Sequence, residues 1–301
     1  MAKLTRENKD GIYSLMLTPY FDDLTVDYDT YEEYADWQAA QGVAHLFAVC
    51  GSSEMKDLQL EERLKLAALT VKHKGDCTVV ACANMEPGWF GQVDEVKRME
   101  QTGVDGIVLT TKGYGNDDER LVSYIRELAS HTTLPVYLYE FPGYSNHLMS
   151  GKAYGELTKD GLVWGIKDTT CTLEGLKSKI ENQHGSTVIQ ANMPFLWDGY
   201  VAGARGVMAT PTTCGGAFFA RFHEAFMSGD MALAEQRYLE IMLLDNAIDA
   251  DFNRSAKELV RLQGISNFKP ISRGGVGELR PCRLRGLKAF HDWCVANGLM
   301  N

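Results

Sequence analysis

Short apolar segments alternate with amphipathic segments from residue 11 to about residue 225, and this alternation constrains the fold of the 301-residue chain more than any other feature. Near-continuous apolar runs of this length are typical of parallel strands buried on both faces, and the amphipathic segments between them are typical of covering helices. The predicted strands lie within 11–19, 43–51, 77–84, 106–111, 134–142, 162–170, 186–192 and 205–213. Eight such units predict a parallel α/β fold.

The count of eight units favours a closed barrel over an open sheet. Neither a G-x-G-x-x-G nor a P-loop signature follows the first strand, as a doubly wound nucleotide-binding sheet would usually show. We therefore predict an α/β fold of the (β/α)8 TIM-barrel type over residues 1–228. Helical segments such as 231–244 and 284–296 dominate the remainder, so residues 229–301 are predicted to form a C-terminal helical appendage. Within it, the glycine-rich segment 268–279 lacks phosphate-loop spacing and is interpreted as a flexible connection.

Composition excludes several classes of protein. The formal net charge of −10 disfavours nucleic acid as a partner, and no run of eighteen apolar residues predicts a membrane span. The first residues lack the pattern of a signal peptide, which favours a cytoplasmic location. Seven cysteines without a CxxC pair fit neither a disulfide framework nor a structural zinc site. The basic segment 280–288 is interpreted as a solvated helix face or a subunit contact.

The helix predicted after Asn116 has both a capping signal and a buried apolar stripe. Asn116 is positioned to cap it, and Glu119, three residues later, is positioned to complete a capping box. The predicted buried stripe consists of Leu121, Val122, Ile125, Leu128 and Ala129. These residues recur at helical spacing, so they predict a helix that covers the barrel.

Lys167 closes the apolar segment 163-VWGIKDTT-170, where a buried lysine is unexpected. A lysine is costly to bury without a partner, so it either extends to solvent or pairs with a carboxylate such as Asp168. Alternatively, burial lowers its pKa and makes the amine a nucleophile that attacks ketones. The first two interpretations are structural, and the third is chemical.

Other polar side chains follow neighbouring strands at the point where each strand ends. The carboxyl ends of parallel barrel strands meet at one face, so Lys167 should lie near Tyr139 and the turn 51-GSS-53. A phenol and small hydroxyls in this position can move protons between substrate and solvent. Each residue alone has an ordinary structural interpretation, but their joint placement favours an active site. No two histidines share metal-ligand spacing with a carboxylate, so no metal site is predicted.

These motifs resemble those of the dihydrodipicolinate synthase and N-acetylneuraminate lyase family, which are class I, Schiff-base lyases. The resemblance covers nearly the whole chain, and YxxP and G-x-K at their mutual spacing are its most specific carriers. The motifs are TP at 18–19, CGSSE at 50–54 with Leu58 and Glu62, YEFP at 139–142, GIKD at 165–168 and GVMA at 206–209.

The resemblance implies a lyase, aldolase or dehydratase that acts on pyruvate or a longer 2-keto acid. It implies that Lys167 forms the Schiff base, that Tyr139 relays protons and positions the substrate, and that Tyr114 reaches across a dimer interface into the relay. It also implies a homotetramer built as a dimer of dimers, with the covalent Schiff base in place of a cofactor. The implied substrate-binding residues are Gly51, Ser52, Ser53, Tyr144 and Met208.

Two departures from the family pattern bear on the substrate. An ungapped match of the turn G-[ST]-[ST]-G-E places Gly51 at the first hydroxyl position, so the relay lacks one hydroxyl unless Ser53 replaces it. Tyr144 stands where dihydrodipicolinate synthases carry an arginine that holds the carboxylate of the second substrate. Loss of that bidentate cation disfavours aspartate semialdehyde and favours another 2-keto acid, including sugar-derived ones.

Three alternatives remain open at the level of sequence. Instead of a lyase for another 2-keto acid, the protein would be a genuine dihydrodipicolinate synthase, a non-catalytic keto-acid-binding paralogue, or a barrel enzyme of another class such as a phosphosugar isomerase. The last alternative would use the backbone of 212-TTCGGAF-218 as a phosphate site after strand eight.

Overall fold

The computed structural model describes residues 3–112, 117–143, 148–275 and 277–300, and its centre is a closed barrel of eight parallel strands. Each strand pairs with the next along the chain, and β8 pairs back with β1. The strands are β1 (Gly11–Leu15), β2 (His45–Phe47), β3 (Thr78–Cys82), β4 (Gly106–Thr110), β5 (Val136–Glu140), β6 (Val163–Asp168), β7 (Thr187–Gln190) and β8 (Gly206–Val207). All eight lie inside the predicted segments, and the predicted (β/α)8 barrel is confirmed.

Helices follow the strands in strict alternation and then continue past the barrel. The helices are α1 (Tyr28–Ala39), α2 (Leu60–Lys72), α3 (Trp89–Gln101), α4 (Asp118–Ala129), α5 (Gly151–Thr158), α6 (Leu173–Glu181), α7 (Leu196–Ala202), α8 (Thr212–Ser228), α9 (Met231–Ile248), α10 (Phe252–Leu262) and α11 (Pro281–Ala296). Short 3₁₀ turns, Met193–Phe195 and Asp249–Asp251, precede α7 and α10. The C-terminal helices α9, α10 and α11 are the predicted appendage.

The predicted division of the chain at residue 228 falls where α8 ends. Gly229, with a φ of 83°, adopts the left-handed conformation that commonly terminates a helix at glycine. The next helix, α9, packs directly on α8. The two helices on either side of residue 228 are thus in contact. The division into a barrel of residues 1–228 and a helical region of residues 229–301 stays a prediction.

The start of α4 differs from the prediction. Asp117 caps this helix, and its carboxylate accepts a hydrogen bond from the backbone N–H of Arg120. The predicted cap, Asn116, lies outside the described residues, and the capping side chain is one position further along because Asp is as good an N-cap as Asn. The predicted buried stripe is confirmed at Leu121, Val122, Ile125, Leu128 and Ala129.

Close packing explains the glycine that precedes Lys167 in β6. A Cβ atom on Gly165 would lie 2.8 Å from Cγ2 of Thr187 and 2.9 Å from Cδ1 of Tyr137. These positions belong to β7 and β5, so any side chain at residue 165 would push both neighbouring strands away. Gly165 therefore allows β6 to sit in register between its neighbours, and this register sets the position of Lys167.

Candidate active site

Lys167 and Tyr139 lie side by side at the carboxyl ends of adjacent strands. They are register partners in the pairing of β5 with β6, and the Lys167 Nζ atom lies 4.1 Å from the centre of the Tyr139 ring. The ring of Phe47 in β2 lies 5.8 Å from the same nitrogen. Lys167 is only 3% exposed and Tyr139 only 5%. The structure thus brings together the two residues that the sequence assigned to chemistry.

Burial changes the acidity of the Lys167 amine. Desolvation disfavours the ammonium form and lowers the pKa of Lys167 to about 8. No ion pair joins this amine to a carboxylate anywhere in the described parts of the chain. A substantial fraction of the amine is therefore neutral and nucleophilic near neutral pH.

The structural alternative for Lys167, a pair with Asp168, is wrong. Successive residues of a strand point to opposite faces, so Asp168 points away from the barrel interior. Its Oδ2 atom lies 3.0 Å from Nζ of Lys179 in α6, and its Oδ1 atom accepts hydrogen bonds from Thr170. Glu140, which follows Tyr139, pairs with the same Lys179 at 2.5 Å. Glu140 therefore faces away from Tyr139, as alternation along the strand requires.

The turn after β2 separates the roles of its two serines. Gly51 and Ser52 line the cavity above Lys167. The Ser53 hydroxyl instead donates to the carbonyl of Cys50 and accepts from its N–H, both at 2.8 Å. Ser53 is not among the residues that line the cavity, and both of its hydrogen bonds close the turn, so its predicted contact with substrate stays a prediction.

A cavity of about 500 Å³ opens above Lys167 and extends to the C-terminal region. This volume lies in the range of small-molecule sites. Its floor is formed by strand ends, and its outer wall by α10 and the loop before α11. The floor and wall residues include Gly51, Ser52, Glu54, Tyr139, Lys167, Thr169, Ala191, Met208, Thr210, Asp251, Phe252, Asn253, Arg254, Ser272, Gly274 and Gly275.

Two buried hydroxyl groups that line this cavity have no hydrogen-bond partner among the residues that the structure describes. They are Oγ of Ser52 and Oγ1 of Thr169. Ser52 is only 2% exposed. Buried polar atoms are nearly always hydrogen-bonded in folded proteins. Their position beside Lys167 fits a polar ligand that would supply the missing partners.

Five of the predicted residues therefore meet at one cavity. They are Lys167, Tyr139, Gly51, Ser52 and Met208. Tyr114 and Tyr144 lie outside the described residues, so their predicted roles stay predictions.

Sequence reasoning missed the outer wall of the site. Asp251, Asn253 and Arg254 reach the cavity from the start of α10, and Gly274 and Gly275 reach it from the segment interpreted as a flexible connection. That interpretation of 268–279 is wrong, because its backbone is tied to the turn after β2. The glycine pair was the available signal, since glycine often marks a close approach of the backbone to a ligand.

Glu54, in the turn after β2, binds the 272–274 segment and has a left-handed backbone conformation with a φ of 60°. Its Oε1 atom lies 2.7 Å from Nζ of Lys257, and its Oε2 atom accepts hydrogen bonds from Ser272, Arg273 and Gly274. Arg273 in turn binds Glu62 in α2 through two hydrogen bonds. The C-terminal region is thereby held over the mouth of the barrel.

The segment 212–218, considered as a phosphate site, does not line this cavity. It forms the first turns of α8, where Thr212 and Thr213 are fully buried and their carbonyls accept hydrogen bonds from Ser14 and Tyr34. A Cβ atom on Gly215 would lie 2.5 Å from Leu244. The segment is therefore packed against protein, which leaves the phosphosugar alternative without its predicted site.

The described residues contain no group of three or more potential ligands among His, Cys, Asp and Glu that could hold a metal ion. Among the same residues, no helix is long and apolar enough to cross a membrane.

Fold and site together define the class. A closed parallel barrel, whose buried lysine has no carboxylate partner among the described residues and lies beside a tyrosine at the strand ends, has the arrangement of a class I, Schiff-base aldolase.

Comparison with known proteins places the chain within this class. Residues 8–272 match the dihydrodipicolinate synthetase family, and the chain belongs to that family. It is 25% identical over 258 residues to the 4-hydroxy-tetrahydrodipicolinate synthase of Macrococcus caseolyticus, an alignment that covers 83% of this chain and 86% of that protein.

Solved structures show the same fold. YagE, a prophage protein of the dihydrodipicolinic acid synthase family from E. coli K12, was solved in complex with pyruvate. It is similar with a TM-score of 0.86 at 22% identity, over 96% of this chain and 99% of its own. A catalytic lysine mutant of the sialic acid aldolase of Ruminococcus gnavus is similar with a TM-score of 0.88 at 14% identity, over 100% of both chains.

Proposed function

We propose that the protein is a lyase, aldolase or dehydratase that forms a Schiff base between Lys167 and a 2-keto acid such as pyruvate. The observation that carries this proposal is the Lys167 amine, which is buried, has a pKa of about 8 and faces a cavity of about 500 Å³. Membership of a family whose members are class I lyases supports it.

The chemistry follows from the neutral amine. Its lone pair attacks the keto carbon, and the resulting carbinolamine loses water to give an imine. The protonated imine withdraws electrons from the adjacent carbon, so a carbon–carbon or carbon–oxygen bond next to it is made or broken without a metal. Tyr139, against which the amine packs, acts as the proton carrier for these steps.

The keto-acid carboxylate is assigned to the turn after β2. Ser52 offers a buried hydroxyl that has no partner in the described parts of the chain, and the adjacent Gly51 also lines the cavity. Since Ser53 is used within the turn and Gly51 has no side chain, the hydroxyl that the family places at residue 51 is not replaced by Ser53. Thr169, two residues after Lys167, lines the same cavity, and its hydroxyl also lacks a partner among the described residues.

The second substrate is proposed to differ from aspartate semialdehyde. Tyr144 occupies the sequence position at which dihydrodipicolinate synthases carry their carboxylate-binding arginine, which favours aldol cleavage or dehydration of another 2-keto acid. The predicted homotetramer and cytoplasmic location remain part of this proposal.

Reductive trapping tests the proposal directly. The protein is incubated with pyruvate and borohydride, and the digested chain is examined by mass spectrometry for a reduced pyruvyl adduct. We expect the adduct on Lys167 and none in Lys167→Ala. Absence of any adduct under saturating pyruvate would sink the proposal.

The alternatives are separated by companion measurements on the same protein. Consumption of pyruvate with aspartate semialdehyde would identify a genuine dihydrodipicolinate synthase. Pyruvate trapping without turnover of any aldehyde or keto acid would identify a keto-acid-binding paralogue. Tight binding of phosphate esters without trapping would point to the isomerase.

A further inference from the structure

The cavity is much larger than pyruvate requires, and its outer wall carries an arginine. From Lys167 on the floor, the cavity reaches Asp251, Asn253 and Arg254 at the start of α10. We propose that Arg254 binds an anionic group at the far end of the second substrate, so that the substrate class is a 2-keto acid with a second negative charge several carbons from its keto group. This inference rests on the proposed Schiff-base function.

The guanidinium of Arg254 is oriented but not saturated. Its Nε atom donates to Oδ1 of Asp251 at 3.0 Å, and Nη1 donates to the carbonyl of Gly277. Nη2 has no acceptor among the residues that the structure describes. The Arg254 side chain is 14% exposed. A fixed guanidinium with one open edge is suited to an incoming carboxylate or phosphate.

Gly275 leaves space beside that edge, and Gly274 leaves space beside Asp57. A Cβ atom on Gly275 would lie 3.5 Å from Nη2 and 3.8 Å from Cζ of Arg254, over the open edge. A Cβ atom on Gly274 would lie 3.2 Å from Oδ2 of Asp57. Neither glycine has a positive φ, so the backbone conformation does not require glycine there. The space beside Arg254 is therefore a feature that Gly275 provides.

The other charges around the cavity leave this role to Arg254. Lys167 is consumed by the imine, and Lys56 is exposed on the turn after β2. The carboxylate of Glu54 is already bound by Lys257 and by three donors of the 272–274 segment. Asp251 occupies the Nε edge of Arg254 and reduces its net charge, but it leaves the Nη2 donors available. The exposed carboxylate of Asp57 also lines the cavity, beside Gly274, so we expect the anion on the Nη2 side of Arg254, next to Gly275.

The test compares keto acids that differ only at their far end. Borohydride trapping is titrated with 2-oxoadipate and with 2-oxohexanoate, which have equal length but end in a carboxylate and a methyl group respectively. We expect half-saturation at about 10- to 100-fold lower concentration for the dicarboxylate, the range that corresponds to a charge-assisted hydrogen bond. A 2-keto acid phosphorylated at its far end forms the third arm and distinguishes phosphate from carboxylate.

Variants assign the preference to Arg254. Arg254→Met should reduce the ratio of the two half-saturation values to about one, and Arg254→Lys should keep part of it. Gly275→Ser, which adds bulk without changing charge, should also reduce it. Arg261→Met is the matched control, since Arg261 lies on the same helix, pairs with Glu258 and does not line the cavity.

The outcomes separate the two proposals. Trapping of pyruvate without any preference for the charged keto acids would overturn the role of Arg254 and leave the Schiff-base proposal standing. A preference that persists in both Arg254→Met and Gly275→Ser would also overturn it. Failure to trap pyruvate at all would overturn both.

Discussion

Two lysines, Lys167 in β6 and Lys179 in α6, are almost equally buried but have opposite environments. Lys167 is 3% exposed and has no carboxylate partner among the described residues, and burial lowers its pKa to about 8. Lys179 is 1% exposed, and although burial disfavours its charge, attraction to Glu140 and Asp168 outweighs that cost and raises its pKa. Burial lowers the pKa of a lysine amine, and the two carboxylates beside Lys179 reverse that shift, whereas the single carboxylate beside Lys257 does not.

The same two strands supply both environments. Tyr139 is the register partner of Lys167, and Glu140 is the register partner of Asp168. Alternation sends the first pair into the barrel and the second pair out toward α6. Glu140 and Asp168 share the single ammonium of Lys179. Burial raises the pKa of Glu140, and the attraction to this ammonium does not fully offset the shift. The inner faces of β5 and β6 carry the chemistry, and their outer faces carry a charged cluster that joins them to α6.

The largest expected effect is the loss of imine formation in Lys167→Met. Trapping with pyruvate and borohydride should disappear, because Lys167 is the lysine whose amine lies against the Tyr139 ring at the cavity floor. The free energy of unfolding, measured with urea, should not fall, because methionine replaces a buried amine without a partner. Lys72→Met, at an exposed position of α2, is the control for both measurements. A trapped adduct in Lys167→Met would show that another lysine forms the imine.

Lys179→Met should have the largest effect on stability. It leaves two carboxylates buried and close together without a cation, which typically costs about 3–5 kcal/mol. Urea unfolding measures the change, with Lys177→Met on the exposed face of the same helix as control. Adding Asp168→Asn to Lys179→Met should recover part of the loss. An unfolding free energy equal to that of the parent chain would contradict the structural role of the Lys179 cluster.

Lys257→Met should destabilise the protein less than Lys179→Met, by about 1–3 kcal/mol. Its partner Glu54 keeps three other hydrogen-bond donors when the ammonium is removed. The exposed pair of Lys269 with Asp22 provides the control, through Lys269→Met in the same unfolding experiment. A loss as large as that of Lys179→Met would mean that the other donors do not compensate.

The smallest expected effect is a pH dependence of imine formation. Because the amine must be neutral to attack, the trapping rate with cyanoborohydride should rise about tenfold per pH unit below a midpoint near 8 and level off above it. Lys257 has a pKa that burial also lowers to about 8, so the profile is repeated in Lys257→Met. A rate profile with its midpoint near 10 in the parent chain would contradict the assignment to Lys167. So would a profile whose midpoint near 8 is lost in Lys257→Met.

Most of the fold was predictable because barrel strands are local patterns. Eight apolar segments were recognised from their composition and from the helical segments between them, and the buried stripe of α4 was recognised from its spacing. The cap of α4 was misplaced by one residue, because Asn116 and Asp117 are equivalent candidates in sequence.

The floor of the site was predictable for the same reason, and its wall was not. Lys167 and Tyr139 end their strands, and strand ends meet at one face of a barrel. The different environments of Ser52 and Ser53 could not be predicted, because the two hydrogen bonds of Ser53 to Cys50 depend on the geometry of the turn. Arg254 is 87 positions after Lys167 in the chain, and no local pattern connects α10 to the strand ends.

By itself, the sequence determined the barrel and the meeting of Lys167 with Tyr139 at its mouth, because both follow from the period and order of the strands. Only the tertiary structure decided which lysine has a counter-charge. Glu140 and Asp168 are adjacent in sequence to the reactive pair, but their carboxylates meet Lys179 because alternation turns them outward. The structure likewise decided that Lys257 meets Glu54 across 203 residues, which places α10 and Arg254 over the cavity. Electrostatic environment depends on distances in space, and those arise only when the elements pack.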